Sequence, residues 1–352
     1  MTNMVILSPR FLRVILVLSS FLFAYFTISQ LPHHSNSSGD NGSVFSFSYE
    51  KEVDWSRFAY TQYATDRSYL CNSLMIFEAL HRLGSKPDRV LLYASEFSLP
   101  QNHDSKESRM LRFAQENYGV KLKPIQVQLR GGDGAPWAKS YTKLLAFNQT
   151  EYDRVLNLDS DATLCQPMDE LFLIPSSPVA MPRAYWKDPT EKPFTSALIL
   201  VEPSAAQFAR MVEAISDANP STTFDMEIMN QIYGDTAQTI PHRPYTLLSG
   251  ELRSNAHAAY LGGEDEAWDA GRILREAKYV HFSDWPVPKP WFEAGKSVLE
   301  KAQPACAFDP STGLHDDCRT RDLWLGLYED FRLRRTNICS TAILDPRYGS
   351  LS

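Results

Sequence analysis

The 352 residues are 43% hydrophobic and 22% charged, an ordinary globular composition that excludes collagen, wholesale disorder and a multi-span membrane protein. The length suits one large domain or two moderate ones, with enough chain to bury a sizeable core. A formal charge of −7, from 35 Lys and Arg against 42 Asp and Glu, argues against a nucleic-acid binder, which would carry a basic excess or stripe.

That charge is unevenly spread. Residues 1–30 hold Arg10, Arg13 and no acid, a charge of +2, so the remainder carries −9, two below the whole-chain −7. From Val14 to Leu31 the chain is apolar and uncharged, about 27 Å if helical and just enough to span a bilayer core. Arginines before it and neutral residues after it put residues 1–13 in the cytosol and the large body in a lumen. The rival reading is a cleaved signal peptide, but Ala24-Tyr25-Phe26 offers no convincing small-x-small cleavage site. Residues 32–54, which include SNSSGDNGS, read as a flexible stem. Asn36, Asn41 and Asn148 each begin an N-glycan acceptor triplet, in keeping with a lumenal body. Five cysteines without C-x-x-C spacing suggest one or two bridges, expected within Cys306, Cys318 and Cys339, with Cys71 and Cys165 as buried thiols.

Past the stem, strand alternates with helix. Arg57–Ala64 alternates as a strand, Asp66 supplies a helix N-cap, and Leu70, Leu74, Phe77 and Leu80 recur at helical spacing until Gly84. Arg89–Ala94 is a short apolar strand, Glu107–Tyr118 a helix stopped by Gly119, and Ile125–Leu129 another strand. Tyr141–Phe147 reads as helical and Arg154–Leu158 as a buried strand running into Asp159. This interval predicts βαβ units and an α/β fold with a mostly parallel mixed sheet flanked by helices. In the second half, Phe194–Val201 reads as a strand. A helix opens at Ser204 with Phe208, Met211, Val212 and Ile215 on one face, and Phe224–Tyr233 reads as another. Tyr279–Phe282 is a short strand. Arg321–Arg335 reads as an amphipathic helix turning Leu323, Leu325, Leu327 and Phe331 to the body.

Two features carry chemistry. Asp159-Ser160-Asp161 stands where a buried strand ends, at the sheet edge where α/β folds place ligands. Successive side chains alternate faces in a strand, so the two carboxylates converge only if the chain turns there. Their hard oxygens suit Mg²⁺ or Mn²⁺, which can neutralise a diphosphate; two solvated acids at a polar strand end are the plainer alternative. Then comes His281-Phe282-Ser283-Asp284-Trp285, followed by Pro286-Val287-Pro288-Lys289-Pro290-Trp291. Its imidazole can complete a carboxylate metal site and its lysine can meet a phosphate, although a structural histidine and a solvated lysine fit the same residues.

Taken with Thr65-Asp66-x-x-Tyr69 and Lys143, these motifs resemble glycosyltransferase family 8, the retaining, metal-dependent, nucleotide-sugar group that contains glycogenin. The resemblance covers roughly residues 57–293. FDMEIMN at 224–230, HFSDWPVPKPW and the tail from Cys318 to Cys339 are similar to the fungal Golgi N-acetylglucosaminyltransferases of that family. The resemblance implies a GT-A fold over 55–300, a C-terminal extension at 301–352 and a UDP-sugar donor. It places Thr65, Asp66 and Tyr69 on the uridine, Lys143 near the sugar or diphosphate, and Lys289 on the diphosphate. Asp159, Asp161 and His281 would hold Mn²⁺ or Mg²⁺, with Asp225 or Glu227 steadying the sugar. Asp225 is followed by Met226 and Glu227 rather than the family's Q-G, and Thr195-Ser196-Ala197 replaces its N-S-G. The implied reaction moves N-acetylglucosamine from UDP-GlcNAc to mannose-type glycans of lumenal glycoproteins in the Golgi. The alternatives are UDP-glucose or UDP-galactose as donor, or an inactive glycan-binding protein.

Overall fold

A computed structural model describes residues 52–98, 104–126, 140–219 and 222–345, together with Arg347. The expected anchor at 14–31, Asn36, Asn41 and all of the expected stem up to residue 51 lie outside them. Among the described residues, no helix is long and apolar enough to cross a membrane. From Val53 onward the chain forms one compact unit.

The first half follows its local signals closely. Strand β1 (Phe58–Ala64) leads through Asp66 into α1 (Arg67–Arg82), and the Asp66 carboxylate accepts the backbone N–H groups of Ser68 and Tyr69 at 3.0 and 3.1 Å. After β2 (Asp88–Ala94), α2 (Lys106–Tyr118) stops at Gly119, whose φ of +65° is the left-handed cap that glycine adopts without strain. That abrupt stop moves the next strand forward. It is β3, Val120–Ile125, and not the expected Ile125–Leu129, whose residues beyond 126 lie outside the described set. The segment Ser140–Asn148 coils as a 3₁₀ helix before β4 (Arg154–Leu158).

The remaining strands are short: β5 (Ala162–Leu164), β6 (Val179–Pro182), β7 (Leu198–Val201), β8 (Gln238–Ile240), β9 (Leu247–Leu248), β10 (Tyr279–His281) and a hairpin of β11 (Ala307–Asp309) with β12 (Leu314–Asp317). Between them lie α3 (Ala205–Asp217), capped by Ser204, and α4 (Asp225–Tyr233). The expected strand over Phe194–Val201 begins only at Leu198, because Thr195–Ala197 bend away towards the site; Phe194 makes a lone bridge to Arg183.

The main sheet runs β3-β2-β1-β4-β7-β6-β8. The pairs β3/β2, β2/β1, β1/β4 and β6/β8 are parallel, while β7 is antiparallel to both β4 and β6. This is the mixed, mostly parallel sheet with flanking helices that the sequence predicts. Its inner strands are largely buried on both faces, as expected for a sheet covered on both sides, while the edge strands β3 and β8 carry exposed polar residues. Tyr60, Leu91 and Leu156 pack with Leu70, Leu74 and Phe77 of α1 on one face, and Ala59, Val90 and Val155 pack with Tyr141, Phe147, Met211 and Ile228 on the other. In α3, Met211 and Ile215 are buried but Val212 is exposed, so the buried stripe is narrower than predicted.

A C-terminal helix, Arg319–Leu344, runs nine residues beyond the predicted Arg335. Its buried stripe is Trp324, Tyr328, Phe331, Cys339 and Ala342, at spacings of three, four and their multiples. Leu323 and Leu327 are only partly buried and Leu325 is exposed, because the larger aromatics take the inner face. The helix lies against α1, where Arg334 pairs with Glu78 at 2.8 Å and Arg335 donates to Asn72 at 3.0 Å. Cys306 pairs with Cys318 as expected, clamping the β11/β12 hairpin. Cys339 instead reaches Cys71 across 268 positions, so Cys71 is not a free thiol; Cys165 is. Burial raises the Cys165 thiol to a pKa of about 11, which leaves it inert at neutral pH.

Candidate active site

Strand order fixes where the site lies. From β1 the chain steps outward to β2 and β3, then returns to place β4 on the other side of β1. The carboxyl ends of β1 and β4 therefore flank a topological switch point, the crevice where open α/β sheets bind ligands. Thr65 and Asp66 leave the end of β1, and Asp159 leaves the end of β4. A surface cavity of about 640 Å³ opens at the opposite ends of these strands, beside Phe58, Arg154 and Glu202, and it gathers none of the motif residues.

The turn required for the two acids to converge is present. Strand β4 ends at Leu158, the chain bends through Ser160, and β5 joins a separate three-stranded sheet of order β5-β10-β9. Antiparallel pairing of β5 with β10 sets His281 opposite Ala162. Its Nε2 thereby lies 3.1 Å from Asp161 Oδ1. One ligand atom each from Asp159, Asp161 and His281 fall within 4.8 Å of one another. Two hard carboxylate oxygens and one imidazole are a donor set suited to Mn²⁺ or Mg²⁺. The other ring nitrogen, Nδ1, is buried with no hydrogen-bond partner among the described residues, so Nε2, which meets Asp161, is the ring nitrogen turned to the acids.

Cations border the acids. Lys143, with its side chain only 4% exposed, lies 2.7 Å from Asp159 Oδ1 and 2.8 Å from Asp225 Oδ2. Burial alone would lower the Lys143 pKa, but the Asp159 and Asp225 carboxylates hold it well above the usual lysine range. At the outer side, Lys289 Nζ lies 2.6 Å from Asp161 Oδ2 and donates to the carbonyl of Phe282. Burial opposes ionisation of Asp161, but His281 and Lys289 outweigh it and hold this acid well below the usual carboxylate range. Burial and then the charges of Asp161, Asp159 and Asp66 raise the Tyr69 hydroxyl pKa, so Tyr69 is a neutral donor beside the acids.

The predicted residues divide accordingly. Lys143, Asp159, Asp161, Asp225, His281 and Lys289 form one linked constellation. Thr65 and Asp66 begin α1 beside it, with Asp66 engaged as the helix cap and Tyr69 packing edge-on against Trp291 at 5.8 Å between centroids. Glu227 stands apart: it is exposed, and its carboxylate accepts the backbone N–H of Phe224 at 3.0 Å, closing the first turn of α4.

Three contributors escape sequence reasoning. Ser196 donates to Asp225 Oδ2 at 2.6 Å, and the Tyr279 hydroxyl donates to the carbonyls of Asp159 and Ala197 at 2.9 and 3.2 Å. Gln62 donates to the Leu158 carbonyl at 2.6 Å, pinning the end of β4. Ser196 lies in the altered Thr195-Ser196-Ala197 loop, which was a usable signal; Tyr279 and Gln62 look like ordinary strand residues.

Comparison with known proteins identifies relatives of the chain. The chain is 46% identical over 312 residues to glucose N-acetyltransferase 1 of Aspergillus fumigatus, covering 85% of this chain and 81% of that one. It is 48% identical over 294 residues to glucose N-acetyltransferase 1 of Gibberella zeae, covering 82% of this chain and 64% of that relative, just under two thirds of its length. No protein-family model matches the chain. Among solved structures, the galactosyltransferase LgtC in complex with donor and acceptor sugar analogues aligns at a TM-score of 0.47 and 12% identity, over 78% of this chain and 99% of that one.

Proposed function

The chain belongs to the glucose N-acetyltransferase family of sugar-transferring enzymes, and we propose that it transfers N-acetylglucosamine from UDP-GlcNAc to mannose-type glycans, with retention of anomeric configuration, in a GT-A arrangement. One observation carries this reading: Asp159, Asp161, His281, Lys143, Lys289 and Asp225 meet at the switch point of the sheet. A net-acidic protein must hold a diphosphate that its charge repels, and this cluster is chemically equipped to do so.

Asp159, Asp161 and His281 would hold the divalent cation, Mn²⁺ or Mg²⁺. When bound, that ion supplies Lewis-acid stabilisation of the charge developing on the departing UDP. The chain's own residues do the positioning. The cap of Asp66 on Ser68 and Tyr69 sets the first turn of α1 against the nucleoside. Lys143 bridges Asp159 and Asp225 and sets their spacing, and Ser196 fixes the Asp225 oxygen that Lys143 also holds. Lys289 sits at the partly open side of the cluster, where it can pass from Asp161 to the diphosphate. In the transfer, an acceptor hydroxyl oxygen bonds to the anomeric carbon as the bond to the β-phosphate oxygen breaks. That phosphate oxygen takes the hydroxyl proton on the same face, while Asp225 steadies the sugar.

The same reading places the enzyme in the Golgi lumen as a type II membrane protein anchored by residues 14–31. Two disulfides support an oxidising compartment. The test is UDP release from UDP-GlcNAc, with and without Mn²⁺, in the presence of mannose oligosaccharides, and the product linkage read by NMR. The expected result is Mn²⁺-dependent transfer that Asp161→Asn abolishes. Release of UDP that is indifferent to metal, or unchanged in that variant, would overturn the reading.

A further inference from the structure

The segment from His281 to Lys289 leaves Asp161 and returns to it. His281 Nε2 meets one carboxylate oxygen of Asp161 and Lys289 Nζ meets the other. Residues 282–288 are thus a loop whose two ends meet at the candidate metal-binding acid.

The loop is built to be rigid. Asp284 is 6% exposed, and its carboxylate accepts the indole N–H of Trp324 at 2.8 Å and the hydroxyl of Tyr328 at 3.1 Å, both from the C-terminal helix. The same carboxylate pairs with Arg253, whose guanidinium also donates to the backbone carbonyl of Trp285. Phe282 is buried against Tyr328 and Phe331, and Val287 is buried. A buried, three-partner carboxylate is costly to desolvate and is retained where it fixes geometry.

Between these anchored neighbours the side chain of Trp285 is bare. The residue is 89% exposed, whereas Trp324, on the helix that clamps the loop, is fully buried. An indole left in water contributes nothing to the core and carries a hydrophobic penalty. Fixing its backbone on both sides leaves only the two side-chain torsions to be ordered on binding. A broad, exposed aromatic face on a loop whose ends meet the candidate metal-binding acid matches the apolar C–H face of a hexose ring. Its single N–H can add a bond to a ring hydroxyl.

We propose that Trp285 is the stacking platform for the acceptor glycan, receiving the hexose whose hydroxyl attacks the donor or the residue next to it. The assignment rests on the glycosyltransferase reading above. It names the acceptor side, with a neutral hexose chain as the ligand class, and makes Trp285 a specificity residue for acceptor and not for nucleotide.

The experiment is steady-state transfer from UDP-GlcNAc to a mannose oligosaccharide by the full chain, varying each substrate in turn, for the parent, Trp285→Ala and Trp285→Phe. The expected result is an acceptor KM raised about tenfold in Trp285→Ala, the loss equivalent to an aromatic contact of about 1.4 kcal/mol. The donor KM should move less than about twofold, and Trp285→Phe should recover most of the acceptor KM. An acceptor KM unchanged in Trp285→Ala overturns the assignment, as does a donor KM that rises with it, or a change of oligomeric state as the sole effect. A melting temperature equal to that of the parent separates loss of contact from loss of fold. Absence of transfer by the parent itself would instead sink the glycosyltransferase reading, and this assignment with it.

Discussion

Replacing Lys143 with Met tests whether the centre of the site is held by charge. The Lys143 ammonium is almost wholly buried, 2.7 Å from Asp159 and 2.8 Å from Asp225. With an effective dielectric of about 20, each contact is worth about 6 kcal/mol of attraction. Against that stands the cost of taking an ammonium and two carboxylates out of water, several kcal/mol per ion. Methionine fills similar space but leaves two carboxylates buried and facing each other, and breaking buried pairs in this way typically costs about 3–5 kcal/mol. Lys143→Met should therefore lose about that much stability in urea denaturation at neutral pH.

The sign of the pH dependence follows from the same contacts. Burial already raises the Asp159 pKa, and the lysine is the leading influence holding it down. Without it, the folded-state pKa of Asp159 rises further above its unfolded value. Such a group makes the variant less stable as pH rises through the raised value, and protonation relieves the deficit as pH falls. The gap between parent and variant should shrink as pH falls towards the ordinary carboxylate range. A variant as stable as the parent at neutral pH, or a deficit that does not change with pH, would refute the electrostatic account.

Two further outcomes are expected. In the chain-entropy treatment, removing the Cys71–Cys339 bridge, with its separation of 268, costs at most about 5–6 kcal/mol, and removing Cys306–Cys318, with its separation of 12, about 3 kcal/mol. Paired Cys→Ser variants should lose denaturant midpoint in that order, and the reverse order would contradict it. Asn148 is exposed at the end of its 3₁₀ helix, so protein expressed through the secretory route should carry an N-glycan there. Peptide mass spectrometry that finds Asn148 fully unmodified would count against the lumenal placement.

What was legible in the chain was whatever is decided within a few residues. Asp66 before a 3.6-residue period, Gly119 after one and Ser204 at the head of α3 set helix ends through bonds to adjacent backbone, so their residue types suffice. The run Arg154–Leu158 ending on Asp159 was readable because a doubly covered strand must be apolar and its polar terminus must lie at the edge. Long-range choices were not. That Cys339 meets Cys71 and not Cys306 depends on the C-terminal helix lying along α1, which no local pattern encodes. The inner face of that helix went to Trp324 and Tyr328 over Leu323 and Leu325 because Asp284, forty residues away, supplies acceptors for both polar rings. The family resemblance sets Glu227 beside the sugar, yet its position three residues past Phe224 is equally the signature of a helix cap. The structure uses it in that way.

Asp159 follows β4 of the seven-stranded sheet, whereas Asp161 leads into β5 and His281 ends β10, both in the three-stranded sheet. Ser160 alone separates the two acids along the chain. A cation clasped by all three side chains would therefore act as a rivet across a seam between two sheets. Occupancy should then be felt in the backbone of both sheets, as slower hydrogen exchange at Leu158 and Val280, the neighbours of Asp159 and His281.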